Sequence, residues 1–137
     1  MYGALDVSTS GMIAQRTRLE AITVNIVNQN TFLDENGRNN PFKRRVAMFA
    51  PGDPAAKSAA GRASGVHVHS IEQEEGFQVR FEPNNPYADD KGYVKYPNIN
   101  STFEQLNALQ AQRSYEANVT VAEATKQMMS TALRLIA

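Results

Sequence analysis

The sequence predicts a mainly α protein whose long N-terminal and C-terminal helices pack as an antiparallel, coiled-coil-like pair. Both chain ends are free of proline, since all six prolines fall between residues 31 and 100. Apolar residues recur every seven positions at both ends. We therefore expect one structural domain with an N-terminal helix (1–30), a loop-rich segment with a small β element (31–100) and a C-terminal helix (101–137).

The N-terminal helix is predicted from a seven-residue repeat. Leu5, Met12, Leu19 and Ile26 form the repeat, and Ile22 fills an adjacent position on the same side. The polar stretch 25–31 follows, and its Asn and Thr side chains can bond free carbonyl groups, so the helix is expected to stop near residue 28. Simple capping of the helix end is one interpretation of this stretch, and a more specific role is the other.

The C-terminal helix is predicted to begin at Ser101, because Glu104 follows three residues later in the spacing of a capping box. Its repeat consists of Ala108, Tyr115, Ala122, Met129 and Ile136, accompanied by Ala111, Asn118, Thr125 and Ala132. Further apolar residues, Leu106, Leu133 and Leu135 among them, leave this helix apolar on more than one side.

The length of the C-terminal helix also indicates that a single chain cannot cover all of its surface. A helix over residues 101–137 would be about 55 Å long, whereas a compact domain of this size is roughly 37 Å across. Neighbouring subunits are therefore expected to cover the remaining apolar surface. The residues expected to pack between helices or between subunits are Leu5, Met12, Leu19, Ile22, Ile26, Leu106, Tyr115, Ala122, Met129, Leu133 and Ile136.

Three short stretches of the middle segment are predicted strands. Residues 43–49, 66–71 and 77–81 alternate in part and are rich in Val, Ile or Phe. They suffice for a β element of two or three strands.

Composition excludes several classes of function. Fourteen basic side chains balance fourteen acidic ones, so the chain has no net field to collect nucleic acid or an anionic membrane. The absence of cysteine removes disulfides and zinc sites built on sulfur. The N-terminus lacks the basic and apolar regions of a cleavable secretory signal, so we expect the protein to stay in the cytosol or to leave by another route.

No catalytic residue, cofactor or metal site is expected. His67 and His69 would share one face of a strand, as metal ligands sometimes do, but only Glu72, Glu74 and Glu75 lie near them in sequence as a third ligand. No nucleophile elbow, phosphate loop or dinucleotide fingerprint is present. A metal-dependent enzyme using the two histidines is kept as an alternative.

Specific motifs resemble a known family. Residues 8–15 and 25–31 resemble the signature of bacterial flagellar axial proteins, which include rod and hook proteins. Residues 40–46, 92–100 and 113–120 resemble the proximal rod proteins of that family. The residues that carry the resemblance include Ser10, Gly11, Asn25, Asn28, Asn30, Thr31, Arg44, Arg45, Gly92, Tyr93, Pro97, Asn98, Tyr115 and Asn118. The chain departs from the family pattern at Val27, Asn85 and residues 103–105, and residues 51–65 match nothing firmly.

The resemblance implies a structural subunit of the periplasmic flagellar rod, exported unfolded through the flagellar type III apparatus without a cleavable signal. It implies a drive shaft that transmits torque and encloses the export channel. The partners implied are other proximal rod proteins, the distal rod protein, the rod-base adaptor, the inner-membrane ring and copies of the chain itself. Another flagellar axial protein and a cytosolic coiled-coil adaptor are the remaining alternatives.

Overall fold

A computed structural model describes residues 2–137, of which about half are helical. The elements follow the order α1 (Tyr2–Val27), β1 (Arg45–Pro51), α2 (Ala59–Ser64), β2 (Val66–Gln73), β3 (Phe77–Phe81), β4 (Tyr93–Pro97) and α3 (Ser101–Ile136). The two long terminal helices and the small middle β structure agree with the predicted mainly α class.

The terminal helices pack against each other along a seam of small residues. On α1 the buried side chains include Ser8, Ala14 and Ala21, and on α3 they include Ala111 and Thr125. Small side chains allow two helices to approach closely, since interaxial distance is set by the residues at the contact. Seven-residue repeats therefore indicated the helices, while most of the residues that are fully buried on them are smaller ones.

The start of α3 differs from the predicted capping box. Asn100 is the N-cap, and its Oδ1 accepts from the main-chain N–H groups of Thr102 and Phe103 at 2.9 and 3.3 Å. The capping-box prediction for Ser101 and Glu104 was wrong, because the carboxylate of Glu104 turns away from the helix start and binds Asn25 and Arg44.

Four strands form two separate antiparallel hairpins, β1–β2 and β3–β4. A bulge between Met48 and Phe49 interrupts the first register. The three predicted strands are present, with the first shifted to Arg45–Pro51, while β4 and the short helix α2 were not predicted. Ser58 caps α2 by accepting from the N–H of Gly61.

The second hairpin connects the middle segment to α3. Val94 and Tyr96 of β4 are buried, followed by Pro97 and Ile99. Tyr96 packs against Phe32, whose ring centroid lies 4.9 Å away. A small core of aromatic and branched residues therefore precedes α3 in the chain. It adds to the burial of small residues on the two terminal helices.

Candidate functional site

A buried polar junction joins α1, the start of β1 and the first turn of α3. Asn25 is fully buried, and its Nδ2 donates to Arg45 O at 2.8 Å and to Glu104 Oε2 at 3.0 Å. Its Oδ1 accepts from the N–H of Arg45 at 2.8 Å. Both polar ends of one amide are therefore satisfied by two other elements, as burial of a polar side chain requires.

The charge of Glu104 is balanced inside this junction. Arg44 Nε donates to Glu104 Oε1 at 2.7 Å, and Arg44 Nη1 lies 3.1 Å from Glu74 Oε2. Burial of the Arg44 guanidinium opposes its charge, but hydrogen bonds and attraction to Glu104 and Glu74 outweigh burial and raise its pKa above the ordinary value. Arg44 is thus a permanently charged link between α3 and the β1–β2 hairpin.

Asn28 and Thr31 terminate α1. Asn28 Nδ2 donates to Val24 O at 2.9 Å, and Thr31 Oγ1 donates to Asn28 Oδ1 at 3.2 Å. Asn30 follows the end of α1 and is exposed. Both interpretations of the polar stretch 25–31 therefore apply. Asn28 caps the end of α1, whereas Asn25 joins α1, β1 and α3.

The first half of α1 contacts the middle segment and α3 through Ser10 and Gly11. Ser10 Oγ donates to Val7 O at 2.7 Å and accepts from the N–H of Val66 at 3.1 Å. A Cβ at Gly11 would lie 2.7 Å from Asn118 Nδ2. Glycine here therefore lets Asn118 of α3 pack closely against α1, and it is not needed for an unusual backbone angle.

The remaining family-type residues lie around the β3–β4 hairpin. Gly92 has a φ of +84°, a left-handed conformation that favours glycine, and begins the approach to β4. Tyr93 packs its ring on Phe81 at 5.3 Å between centroids. Pro97 is buried, and Asn98 Oδ1 accepts from Gln78 Nε2 at 3.2 Å.

The predicted packing residues fall into three groups by exposure. Ile22 is buried. The half-buried group consists of Leu5, Met12, Leu19, Ile26, Ala122 and Met129. The exposed group consists of Leu106, Tyr115, Leu133 and Ile136. The first two groups lie where one chain can cover them at least in part, and the third lies on surface of α3 that the chain itself leaves open.

That open surface of α3 is extensive. Leu133 is 66% exposed and Leu135 is 83% exposed. Its other large exposed members are Phe103, Leu106, Leu109, Tyr115, Val121, Met128 and Ile136. So many exposed large apolar side chains on one helix are expected to contact another molecule.

Sequence reasoning missed Glu104 as a member of the junction and missed most of the small seam residues. Glu104 binds side chains 79 and 60 positions away along the chain, which local patterns do not connect. The spacing of Ser8, Gly11, Ala14 and Ala21 along one helix was the available signal for a close helix contact.

The two histidines lie close to each other on β2, and one of them has a main-chain hydrogen-bond partner. His67 Nδ1 lies 2.6 Å from Gly52 O, and the rings of His67 and His69 are 6.4 Å apart. Throughout residues 2–137 no group of three or more His, Cys, Asp or Glu side chains could hold a metal ion. None of the helices in the same range has both the length and the apolar character to cross a membrane.

Comparison with known proteins gives concordant matches. The family described as "Flagellar basal body rod FlgEFG protein C-terminal" matches residues 90–135. Flagellar basal-body rod protein FlgC of Aquifex aeolicus (strain VF5) is 35% identical over 128 residues, covering 93% of this chain and 91% of the relative. The proteins of the same name from Bacillus subtilis (strain 168) and Salmonella typhimurium (strain LT2) are 34% and 36% identical, each covering 98% of this chain and 97% of the relative. The chain therefore belongs to the FlgC family of flagellar basal-body rod proteins.

Proposed function

We propose that the protein is a structural subunit of the flagellar rod, the drive shaft that transmits torque and encloses the export channel. Its family is a family of structural proteins and not of enzymes. The observation that carries the proposal is the uncovered apolar surface of α3, with Leu133 and Leu135 at its end. Such surface is expected to be buried against other subunits in an assembly.

We further propose that α1 and α3 form an antiparallel, coiled-coil-like core. Three contacts support this arrangement. Asn25 near the end of α1 contacts Glu104 in the first turn of α3, Arg18 donates to Gln110 at 3.1 Å, and Gly11 faces Asn118. The core would combine the predicted segments 1–30 and 101–137, with 31–100 as the outward part of one domain.

Assembly would proceed with other rod components and with copies of the chain. The specific neighbours proposed are other proximal rod proteins, the distal rod protein, the rod-base adaptor and the inner-membrane ring. The proposed location is the periplasmic rod, reached by flagellar export without a cleavable signal. The family membership and the resemblance of residues 8–15 and 25–31 to axial proteins support these assignments.

The test separates loss of assembly from loss of folding. A strain lacking the gene is complemented with the wild type, with Leu133→Asp and with Gln127→Asp, which changes an exposed polar residue of the same helix. Leu133→Asp should fold normally, because Leu133 is exposed in the free chain, yet fail to restore rods and motility. Gln127→Asp should restore both, because it adds the same charge at an exposed position that is already polar.

Met129→Asp supplies a second comparison. Met129 lines the same groove as Leu5 and Leu133 but is half-buried where Leu133 is exposed, so the substitution at Met129 places a charge against apolar side chains. We expect it to lower the melting temperature and to block assembly, whereas Leu133→Asp blocks assembly alone. Normal basal bodies in electron micrographs of the Leu133→Asp strain would contradict the proposed covering of α3.

A further inference from the structure

The β3–β4 hairpin has one closed edge. Antiparallel pairing alternates residues whose main-chain groups face the partner strand with residues whose groups face away. On the outer edge of β4, Tyr93 N donates to Asp89 Oδ1 at 2.8 Å and Lys95 N donates to Asn39 Oδ1 at 3.1 Å. Asn39 Nδ2 also donates to Lys95 O at 3.0 Å, and Pro97 has no N–H. The outer edge of β4 therefore offers no free donor.

The opposite edge of the hairpin is open. Val79 lies directly across from Lys95, so its main-chain groups also face away from the partner strand, as do those of Phe77 and Phe81. Among the described residues no group accepts a hydrogen bond from these three N–H groups. All of β3 is exposed, with Val79 56% accessible.

The open edge carries apolar side chains. Phe77, Val79 and Phe81 alternate along β3 and so share one face of the hairpin. On that face Tyr93 packs on Phe81, and Lys95 Nζ lies 4.7 Å from the ring centroid of Phe77. An exposed apolar strand edge with free main-chain groups is a template for pairing with another strand.

We propose that in the free protein β3 pairs antiparallel with β3 of a second copy, about a two-fold axis at Val79. In this register Phe77 faces Phe81 of the partner subunit and Val79 faces Val79 of the partner subunit. On the other face Gln78 meets Arg80 of the partner subunit. Every apolar side chain meets an apolar one and no like charges are opposed, so the strand is complementary to itself.

The other strands of the chain fit such a pair less well. The outer edge of β4 is closed, as described. Asn25 occupies the main-chain groups of Arg45 on β1, and Ser10 occupies the N–H of Val66 on β2. Among the four strands, β3 alone has an outer edge whose main-chain groups make no hydrogen bond to a side chain. A second copy of the chain would therefore pair with β3.

This inference goes beyond the proposed rod function. A two-fold contact closes on itself, whereas an extended rod needs heterologous contacts between subunits. The β3 pair therefore belongs to the unassembled protein and must open before a subunit joins a rod. Its tests use the purified full chain in solution, so their failure would leave the rod assignment unaffected.

A disulfide test uses the absence of cysteine from the chain. In the proposed pair the two Cα atoms of residue 79 would lie about 5.5 Å apart, within the range of about 4.4–6.8 Å that a disulfide spans. Gln78→Cys is the matched control, because Gln78 is exposed on the same strand but its two copies would lie about 8 Å apart. We expect Val79→Cys to form covalent dimers at least about tenfold faster than Gln78→Cys under mild oxidation.

A charge-swap test examines the same register without a covalent bond. Val79→Lys and Val79→Glu each place like charges opposite one another, so each variant alone should stay monomeric in sedimentation equilibrium. An equimolar mixture places opposite charges across the axis and should restore the dimer. Melting temperatures equal to wild type would show that both variants fold.

Three results would each overturn the proposal. One is a wild type that stays monomeric up to about 500 μM, a range in which weak pairs are detectable. Another is a Val79→Cys variant that forms dimers no faster than Gln78→Cys. The third is a mixture of folded lysine and glutamate variants that remains monomeric.

Discussion

Arg44 Nε donates to Glu104 Oε1 at 2.7 Å, and Glu104 is only 1% exposed. The second carboxylate oxygen of Glu104 accepts from Asn25, so a single side chain of α3 connects to both α1 and the start of β1. A buried charge is tolerated when it is paired and hydrogen-bonded on all sides. This junction therefore fixes how the terminal helices and the middle segment meet.

Removing the Glu104 carboxylate should be strongly destabilising. Glu104→Ala leaves the Asn25 amide short of an acceptor and removes the buried partner of Arg44, which should lower the free energy of unfolding by about 3 kcal/mol. Urea unfolding of the purified protein measures this loss.

The double variant Arg44→Met/Glu104→Met is the control for charge pairing. Because it removes both charges and keeps side-chain volume, we expect it to recover more than half of the stability that Glu104→Ala loses. A double variant less stable than Glu104→Ala would contradict the assignment of the loss to an unpaired buried charge.

Gly11 and Asn118 should be energetically coupled. Alanine favours a helix by about 1 kcal/mol over glycine, but a Cβ at Gly11 would lie 2.7 Å from Asn118 Nδ2. We expect Gly11→Ala to lower the free energy of unfolding by about 1 kcal/mol, because overpacking outweighs the gain in propensity.

Shortening the opposing side chain should reverse the sign of the stability change that Gly11→Ala causes. With Asn118→Ala in the background, the added methyl group finds space, so Gly11→Ala should then stabilise the protein. A double-mutant cycle by urea unfolding gives the coupling. Additive effects of the two substitutions would mean that the Gly11 contact does not limit the approach of the helices.

The long helices were predictable and their junction was not. The seven-residue repeats through Leu19 and Met129, together with proline-free ends, are local signals and identified α1 and α3. The role of Glu104 depends on partners brought together by the fold, so the local spacing Ser101 to Glu104 predicted a capping box instead. Glu104 makes tertiary hydrogen bonds in place of the local bond that the spacing predicted.

Short elements escaped prediction for a different reason. β4 has only five residues, and its buried Val94 and Tyr96 alternate with Lys95 over too short a span to distinguish a strand from a loop. The helix α2 contains Gly61, a poor helix former, and depends on contacts with α1. A Cβ at Gly61 would lie 2.9 Å from Asp6 Cβ, so the glycine allows α1 to approach.

Asp6 should make stability depend on pH in the acid range. Its carboxylate accepts from Ser58 N at 3.0 Å, and hydrogen bonds from the Ser58 side chain and main chain hold its pKa below the ordinary value of 3.8. A carboxylate with a lower pKa in the folded chain stabilises the fold fully above its unfolded pKa, and this contribution is lost as pH falls through the folded pKa.

The matched variant is Asp6→Asn, which keeps the shape of the side chain but does not titrate. The stability advantage of the wild type over Asp6→Asn should be constant near neutral pH and shrink between about pH 5 and pH 2. Thermal unfolding at a series of pH values provides the measurement. An advantage that is unchanged at pH 2 would show that the Ser58 hydrogen bonds do not favour the ionised form.

The end of α3 should be ordered by assembly. Leu133, Leu135 and Ile136 are all more than half exposed, so little side-chain burial supports the last turns of this helix in the free chain. Helix ends without tertiary packing open readily, because isolated turns gain little from their hydrogen bonds alone. We expect amides of residues 130–136 to exchange with solvent far faster than those around Ala111, which is fully buried.

Hydrogen exchange read by mass spectrometry compares dilute protein with purified basal bodies. In the rod the same amides should become protected, since neighbouring subunits then cover the apolar side chains and raise the cost of local opening. The segment around Ala111 is the internal reference and should be protected in both samples. Strong protection of residues 130–136 in the dilute monomer would mean that the chain stabilises its own C-terminal turns, and the uncovered surface of α3 would then need no partner to hold it in a helix.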